Sequence, residues 1–267
     1  MKFVTDQTVN PAAAGSVRPQ IGLIFGSLLR ADVTVLLRSG RILILNVVLP
    51  IFILVITNLN GNKASASGFN GVFDIGLALT YGLMSSSLVG YSLTVARDRE
   101  AGVFQRLRVT PAPTWAIMSS RLLVQIALDI VMTVIVVTIG SIIHHLDLSV
   151  SQYLLLVCVS VVGGAMFLAI AQAVVGLVRS AAVVNAVGRV LYVVFLLLGL
   201  LGVGGLLGDT VKSVADWSPV GALISLYGGV LDFSGWDWTN TVGLIAAAGY
   251  IVIGSFIGIR WFRWDSR

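Results

Sequence analysis

Residues 115–143 read WAIMSSRLLVQIALDIVMTVIVVTIGSII, and this stretch indicates the fold class. As a helix it exceeds the ~20 apolar residues needed to cross about 30 Å of hydrocarbon. Comparable runs recur along the 267-residue chain, which is 57% hydrophobic and only 11% charged, with mean hydropathy +0.97. A soluble domain carries about 25% charged residues, and a membrane β-barrel needs alternating segments of about ten residues. The runs here are continuous, so we predict an all-α polytopic membrane protein.

The apolar runs predict six transmembrane helices, at residues 42–58, 72–95, 115–143, 153–178, 183–207 and 241–262. The first contains Pro50, and the third is long enough to be tilted or to project from the bilayer. The first 20 residues have no apolar core of the signal-peptide type. We expect four parts: an N-terminal tail at 1–17, an interfacial helix at 18–41, one transmembrane domain at 42–262 and a C-terminal tail at 263–267.

Lysine and arginine lie mostly on one side of this predicted topology. The side holding both chain ends has Lys2, Arg18, Arg30, Arg38, Arg41, Arg97, Arg99, Arg106, Arg108, Arg179, Arg260, Arg263 and Arg267. The other side has only Lys63 and Lys212. Because cytoplasmic loops are enriched in positive charge, both termini are predicted in the cytoplasm, with the chain in the plasma (inner) membrane. This placement accounts for the net charge of +5 without a nucleic acid partner.

Two segments do not have the pattern of simple spans. Residues 18–41 mix apolar residues with Arg30, Arg38 and Arg41, which favours an amphipathic helix in the cytoplasmic interface. The alternative is an ordinary membrane-flanking segment. Residues 208–240 hold Trp217 and Trp236 around VGALISLYGGVL, which is too short to span. Re-entrant or interfacial helices on the outer face fit this segment, as does a loop with an aromatic belt.

Asp129 is the most informative polar residue within a predicted span. A carboxyl there is costly and is a candidate for function by default. Gln125 lies one helical turn before it and could donate a hydrogen bond, and Arg189 of the fifth span is a candidate ionic partner. A proton site, a contact for a cationic substrate and a structural bond between helices all remain open. Gln172 and Asn46 are further intramembrane polar groups, suited to the substrate path or to bonds between helices.

Three glycine pairs have the G-x-x-x-G spacing that permits close helix approach, at Gly22/Gly26, Gly204/Gly208 and Gly254/Gly258. Packing within the chain and dimerisation both account for them.

The sequence has no motif for binding nucleotide. A P-loop needs Gly-Lys-Ser/Thr, and none of the three lysines follows a glycine. We therefore expect no enzyme activity and no cofactor in this chain. His144, His145 and Asp147 form H-H-x-D, but adjacent histidines point to different helix faces. An ordinary interfacial pair is favoured over a metal site.

The densest charge cluster lies between the second and third spans, at residues 96–113, ARDREAGVFQRLRVTPAP. Val103 and Leu107 are four residues apart with Phe104 beside them, which predicts a short amphipathic helix ended by the following prolines. Arg106 and Arg108 lie toward other faces. Apolar residues rimmed by charge suit docking to a cytoplasmic partner. The alternative is that the arginines serve only to orient the chain.

The same loop contains E-x-G-x-x-x-x-L-x-x-x-P at Glu100, Gly102, Leu107 and Pro111. In this it resembles the coupling loop of ABC-2 type transporter permeases, in particular the daunorubicin/doxorubicin exporter branch. The resemblance extends over nearly the whole chain. The basic segment before the first span resembles the family's elbow helix, and Ser218 followed by proline resembles its Ser/Asn-Pro element.

The resemblance implies a partner and a mechanism. Two separate ATPase subunits would bind ATP and Mg²⁺ and move the loop, switching the substrate path between the two sides of the membrane. The implied ATPase contact consists of Glu100, Gly102, Val103, Phe104, Leu107 and Pro111, with a charged rim of Arg97, Arg99, Arg106 and Arg108. A second permease, identical or homologous, would complete the path. The substrates would be drugs or other hydrophobic or amphipathic molecules.

Three alternatives differ in function. A permease exporting a lipid or a lipid-linked glycan has the same architecture. A membrane scaffold would use the loop only for docking, and a proton-coupled carrier would use Asp129. Dependence on an ATPase separates both kinds of permease from the carrier, and measured flux separates them from the scaffold.

Overall fold

The computed structural model describes residues 21–38, 40–59, 71–108, 114–203, 208–231 and 236–261. Every regular element in these ranges is a helix. In chain order the helices are α1 Ile21–Arg38, α2 Gly40–Leu59, α3 Gly71–Glu100, α4 Val103–Arg108, α5 Thr114–Ile143, α6 Val150–Leu177, α7 Ala181–Leu197, α8 Asp209–Asp216, α9 Pro219–Leu231 and α10 Trp238–Trp261. A π-helical segment, Met84–Tyr91, lies within α3, and another, Leu198–Val203, continues α7. The predicted all-α fold is confirmed.

Five helices of the described chain are long and apolar enough to cross a membrane: α3, α5, α6, α10, and α7 together with its π-helical continuation. Helices α8 and α9 meet at a bend of 86° and pass the same test as a pair, so the count is five or six. The predicted first span corresponds to α2, whose apolar part, Val47–Asn58, is shorter. The prediction of several spans is confirmed. The sixth candidate in the structure is the α8–α9 pair, whereas the predicted first span is too short to pass the same test.

The helix ends differ from the predicted ends of the spans. Helix α6 begins at Val150, ahead of the predicted 153, because a capping box holds its first turn. In this box the backbone N–H of Ser149 donates to Gln152 Oε1 over 2.9 Å, and the Ser149 hydroxyl accepts from the Gln152 N–H. Helix α3 continues to Glu100, past the predicted 95, so the first charges of the loop lie on its last turn. The segment predicted at 208–240 contains the two helices α8 and α9, which meet at the bend, and is not a plain loop.

Helix α3 lies at the centre of the bundle and is buried along most of its length. Helix α10 packs along α6, where Gly254 and Gly258 lie against its backbone. Packing within the chain therefore accounts for this glycine pair, whereas a Cβ placed on Gly22 or Gly26 would have no atom within 4 Å. Large apolar side chains remain exposed on α7 and α10, including Val190 and Ile259, as suits a surface that faces lipid.

Candidate functional site

The turn between α3 and α4 depends on Gly102. The backbone N–H of Ala101 donates to the Arg97 carbonyl over 2.9 Å, and that of Gly102 donates to the Arg99 carbonyl over 3.1 Å. Gly102 then takes φ +70°, in the left-handed region that glycine enters without a steric cost. Its carbonyl accepts from the N–H of Arg106, which starts α4. The predicted amphipathic helix is therefore present as Val103–Arg108, set off from α3 by a glycine turn.

Arg121 of α5 joins three other helices at this turn. Its guanidinium carbon lies 5.0 Å from the centre of the Phe104 ring of α4, within the range of a cation–π contact. Its Nη1 donates to Asp98 Oδ2 of α3 over 2.5 Å, and its Nε lies 4.0 Å from Asp32 Oδ1 of α1. The hydroxyl of Ser120 also donates to Asp32, over 2.6 Å. We call Arg121 with Asp32, Asp98 and Phe104 the arginine hub.

The hub places an acidic group of α1 in a partly buried position. The side chain of Asp32 is 23% exposed. Loss of hydration on burial raises the pKa of its carboxyl, against the opposing effects of the Ser120 hydrogen bond and the Arg121 charge. The ion pair therefore offsets part of the cost of burying this carboxylate.

Arg99 and Glu100, the last two residues of α3, bind the junction between α6 and α7. The Arg99 guanidinium donates to the carbonyls of Val175, Val178 and Arg179 over 2.8, 2.7 and 2.7 Å. The carboxylate of Glu100 accepts from the backbone N–H of Ala181 over 2.6 Å. One residue thus binds the end of α6 and the next binds the start of α7. We call this pair the junction clamp.

The structure changes the predicted docking contact in two places. Arg99 was expected in the charged rim, but it is 3% exposed because its guanidinium lies against carbonyls at the α6–α7 junction. Phe104 was expected to face a partner, but it is 1% exposed and packs under Arg121. Arg97, Glu100 and Arg106 are exposed, and Val103 is half-buried. Of the remaining predicted contacts, the side chains of Leu107 and Arg108, and all of Pro111, lie outside the described residues.

Asp129 of α5 is 1% exposed and accepts hydrogen bonds on both carboxylate oxygens. The hydroxyls of Ser86 and Ser87, in the π-helical segment of α3, donate to Oδ1 and Oδ2 over 2.8 Å each. Gln125 Nε2 donates to Oδ1 over 3.2 Å and also to the Ser86 hydroxyl, which confirms the predicted bond between Gln125 and Asp129. The prediction that Arg189 is the ionic partner of Asp129 was wrong, because the Arg189 side chain is exposed on α7 while Asp129 is buried. Asp129 thus forms hydrogen bonds that join α5 to α3.

The other predicted intramembrane and interfacial residues are dispersed. Gln172 of α6 donates to the Tyr91 hydroxyl of α3 over 2.6 Å, which links two helices. Arg30 is exposed on α1. The side chains of Asn46, Arg38 and Arg41 lie outside the described residues.

A polar pair lies just after the C-terminal end of α5. His144 Nε2 lies 3.8 Å from Asp74 Oδ2 of α3, while His145 takes φ +53° and is exposed. Among the described residues no group of three or more His, Cys, Asp or Glu side chains is placed to bind a metal ion. His144 is thus paired with an acid from another helix, and the interfacial placement of the two histidines stays a prediction.

Sequence reasoning missed Asp32, Asp98, Ser86 and Ser87 as partners in these clusters. Three consecutive serines in an apolar span, Ser85–Ser87, were the signal for the Asp129 cluster. An acid between two arginines, Asp98, was the signal for the hub.

Comparison with known proteins gives a family. Residues 24–224 match the family model described as ABC-2 type transporter, which covers most of the chain. The chain is also similar to "Putative transport permease YvfS" of Bacillus subtilis (strain 168). The two are 22% identical over 198 residues, which is 71% of this chain and 78% of that protein. With its five or six apolar helices, the chain is a multi-pass membrane protein that belongs to the ABC-2 type transporter family.

Proposed function

We propose that this chain is the permease subunit of an ATP-binding cassette exporter, driven by a separate ATPase that docks on α4 and the end of α3. The observation that carries the proposal is how α4 is fixed. The arginine hub ties its buried Phe104 to α5 and, through Asp98, to α3. A force applied to α4 is therefore passed to α3 and α5 through these contacts.

The proposed docking surface consists of groups that are exposed around the turn. Arg97 and Arg106 supply positive charge. Glu100 is also exposed, but its carboxylate accepts from Ala181, so we assign it to the α6–α7 junction and not to the docking contact. Rim charges of this kind steer and orient a partner. The proposed contact also includes Leu107 and Pro111, which the family's motif assigns to it, with Gly102 setting the turn.

The remaining assignments follow from this role. Two ATPase subunits hold ATP and Mg²⁺, a second permease completes the path, and the chain lies in the plasma membrane with both termini and α4 in the cytoplasm. The segment at 18–41 is the elbow helix, and the transmembrane domain runs from 42 to 262. The substrates are drugs or other amphipathic molecules, supported by the resemblance to the drug-exporter branch. A lipid or lipid-linked glycan is the alternative substrate class.

The bonding of Asp129 argues against a proton-coupled carrier. Its buried carboxylate accepts from Ser86, Ser87 and Gln125, so both of its oxygens are bound within the bundle. A structural role accounts for it.

ATP-dependent export in membrane vesicles tests the proposal. The variant Arg97→Glu/Arg106→Glu reverses the charge of the docking surface, and Arg260→Glu, at an exposed arginine near the end of α10, is the matched control. Daunorubicin and a fluorescently labelled phospholipid serve as alternative probes. We expect ATP-dependent movement of one probe with the native chain and the control, and its loss in the double variant. Export that is unchanged by the double variant, or independent of ATP throughout, would reject the docking role.

A further inference from the structure

We propose that Arg99 and Glu100 are positioning residues that carry movement of the docking turn to the start of α7. This inference rests on the proposed function, since it takes the turn after α3 as the point where the ATPase acts. It adds a route to spans that are not continuous in sequence with that turn. The arginine hub serves α1, α4 and α5, whereas the junction clamp serves α6 and α7.

Arg99 binds the carbonyl of Val175 in the last turn of α6, together with the carbonyls of Val178 and Arg179 that follow the helix. The last carbonyls of a helix accept no hydrogen bond within it, and the helix dipole makes this end negative. The guanidinium donates to Val175, Val178 and Arg179 and is almost fully buried, so it is bound to the protein and not to water. This arrangement requires the guanidinium of arginine, which is planar, always charged and has several N–H donors.

Glu100 binds the start of α7 in the complementary sense. The residue before α7, Ser180, makes no side-chain capping bond of its own. The Glu100 carboxylate supplies the acceptor for the Ala181 N–H over 2.6 Å, and its negative charge lies at the positive end of that helix dipole. Two consecutive residues of α3 thus cap both helices of one short junction with the correct signs of charge.

The clamp lies directly beside the proposed point of action. Ala101 and Gly102 follow it, and α4 begins at Val103. A displacement of the last turn of α3 must either take the α6–α7 junction with it or break four charge-assisted hydrogen bonds. Charge-assisted bonds are about twice as strong as neutral ones, so we expect the junction to move with the turn.

The test uses the complete transporter, permease with its ATPase, in a Cys158→Ser background. A single cysteine is introduced either on α4, as Gln105→Cys, or at the start of α7, as Ala182→Cys; both positions are exposed. The readout is the change in the rate of maleimide labelling when ATP is added. Arg99→Lys keeps the charge but not the fork, and Glu100→Gln keeps an acceptor but not the charge. Arg179→Gln, an exposed arginine side chain in the same junction, is the matched control.

We expect ATP to change labelling at both positions with the native pair and with Arg179→Gln. With Arg99→Lys or Glu100→Gln, the change on α4 should persist and the change at the start of α7 should be lost. Glu100→Gln removes one charge only, and it carries the test if Arg99→Lys does not fold. The inference is overturned if ATP still changes the labelling rate at the start of α7 to the full extent in both variants. It is also overturned if the ATP-dependent change is lost at both positions, because the pair would then belong to the docking contact. No change at either position with the native pair would instead count against the proposed function.

Discussion

Replacing Gly254 with alanine should loosen the packing of α10 on α6. A Cβ at this position would lie 2.7 Å from the Ala169 carbonyl carbon and 2.8 Å from its oxygen, whereas ordinary contact begins at 3.4 Å. The approach is therefore about 0.7 Å too close, and both atoms belong to the backbone. Backbone atoms cannot rotate away as a side chain can, so the two helices must separate. Gly258 lies one turn further on the same face and would lose its close contact with Gln172 as well.

Gly249→Ala is the matched control, on the same helix. Nothing lies within 4 Å of a Cβ at Gly249. Both substitutions gain the helix propensity of alanine over glycine, about 1 kcal/mol, so the difference between the two variants isolates the clash. Overpacking of a tight interface costs about 1–3 kcal/mol. We expect the unfolding free energy of Gly254→Ala to be lower than that of Gly249→Ala by about 1–3 kcal/mol.

The assay is denaturant unfolding of the purified chain in detergent, followed by circular dichroism, together with its oligomeric state. The reasoning fails if the two variants unfold at the same denaturant concentration. Unchanged unfolding of Gly254→Ala accompanied by loss of a dimer would assign the glycine pair to dimerisation.

Three further predictions concern the polar clusters. Asp129→Leu should lower the unfolding free energy by about 2–4 kcal/mol, because Ser86 and Ser87 lose a buried acceptor, while Asp129→Asn should fold and retain ATP-dependent export. An Asp129→Asn variant that folds without exporting would return the residue to the substrate path. Arg121→Lys should cost about 1 kcal/mol of unfolding free energy through loss of the ring contact and planar bonding; an unchanged midpoint contradicts the hub. Because burial raises the pKa of Asp32, the stability it contributes is present at low pH and lost as pH rises through that raised value. Between about pH 4 and 7 the unfolding midpoint of Asp32→Asn should therefore fall less than that of the native chain, and parallel curves would refute this.

Hydropathy predicted the class and most of the spans because it reports whether a segment is apolar enough to lie in hydrocarbon. It does not report where a helix ends. The Arg-Asp-Arg-Glu stretch of α3 is too polar for the bilayer, yet its residues continue the helix to Glu100. Similarly, α6 begins at a capping box that is polar and lies outside the apolar run.

The periodicity of the charged loop predicted α4 but not which way its apolar side chain faces. Phe104 was expected to meet a partner, and it lies instead against Arg121, a residue of the next span. Arg99 was expected at the surface, and its acceptors lie 76 to 80 residues away in sequence. Contacts at that separation are decided by how the bundle packs, which a local pattern does not contain.

The Asp129 cluster divides in the same way. Gln125 is one turn away on the same helix, so spacing alone predicted its hydrogen bond. Ser86 and Ser87 belong to another helix and reach the carboxylate from a π-helical segment. Such segments are frequent at functional sites but have no simple sequence signature.

Site-directed cross-linking in native membranes tests the central claim, that an ATPase docks on α4. In a Cys158→Ser background, Gln105→Cys places a thiol on the exposed part of α4, and Ser151→Cys places one near the opposite end of the bundle, at the start of α6. We predict that Gln105→Cys cross-links to a chain with an ATP-binding Walker motif and that Ser151→Cys does not. If Gln105→Cys reacts with a water-soluble maleimide but captures no ATPase, or if both positions capture it equally, α4 is not the docking site.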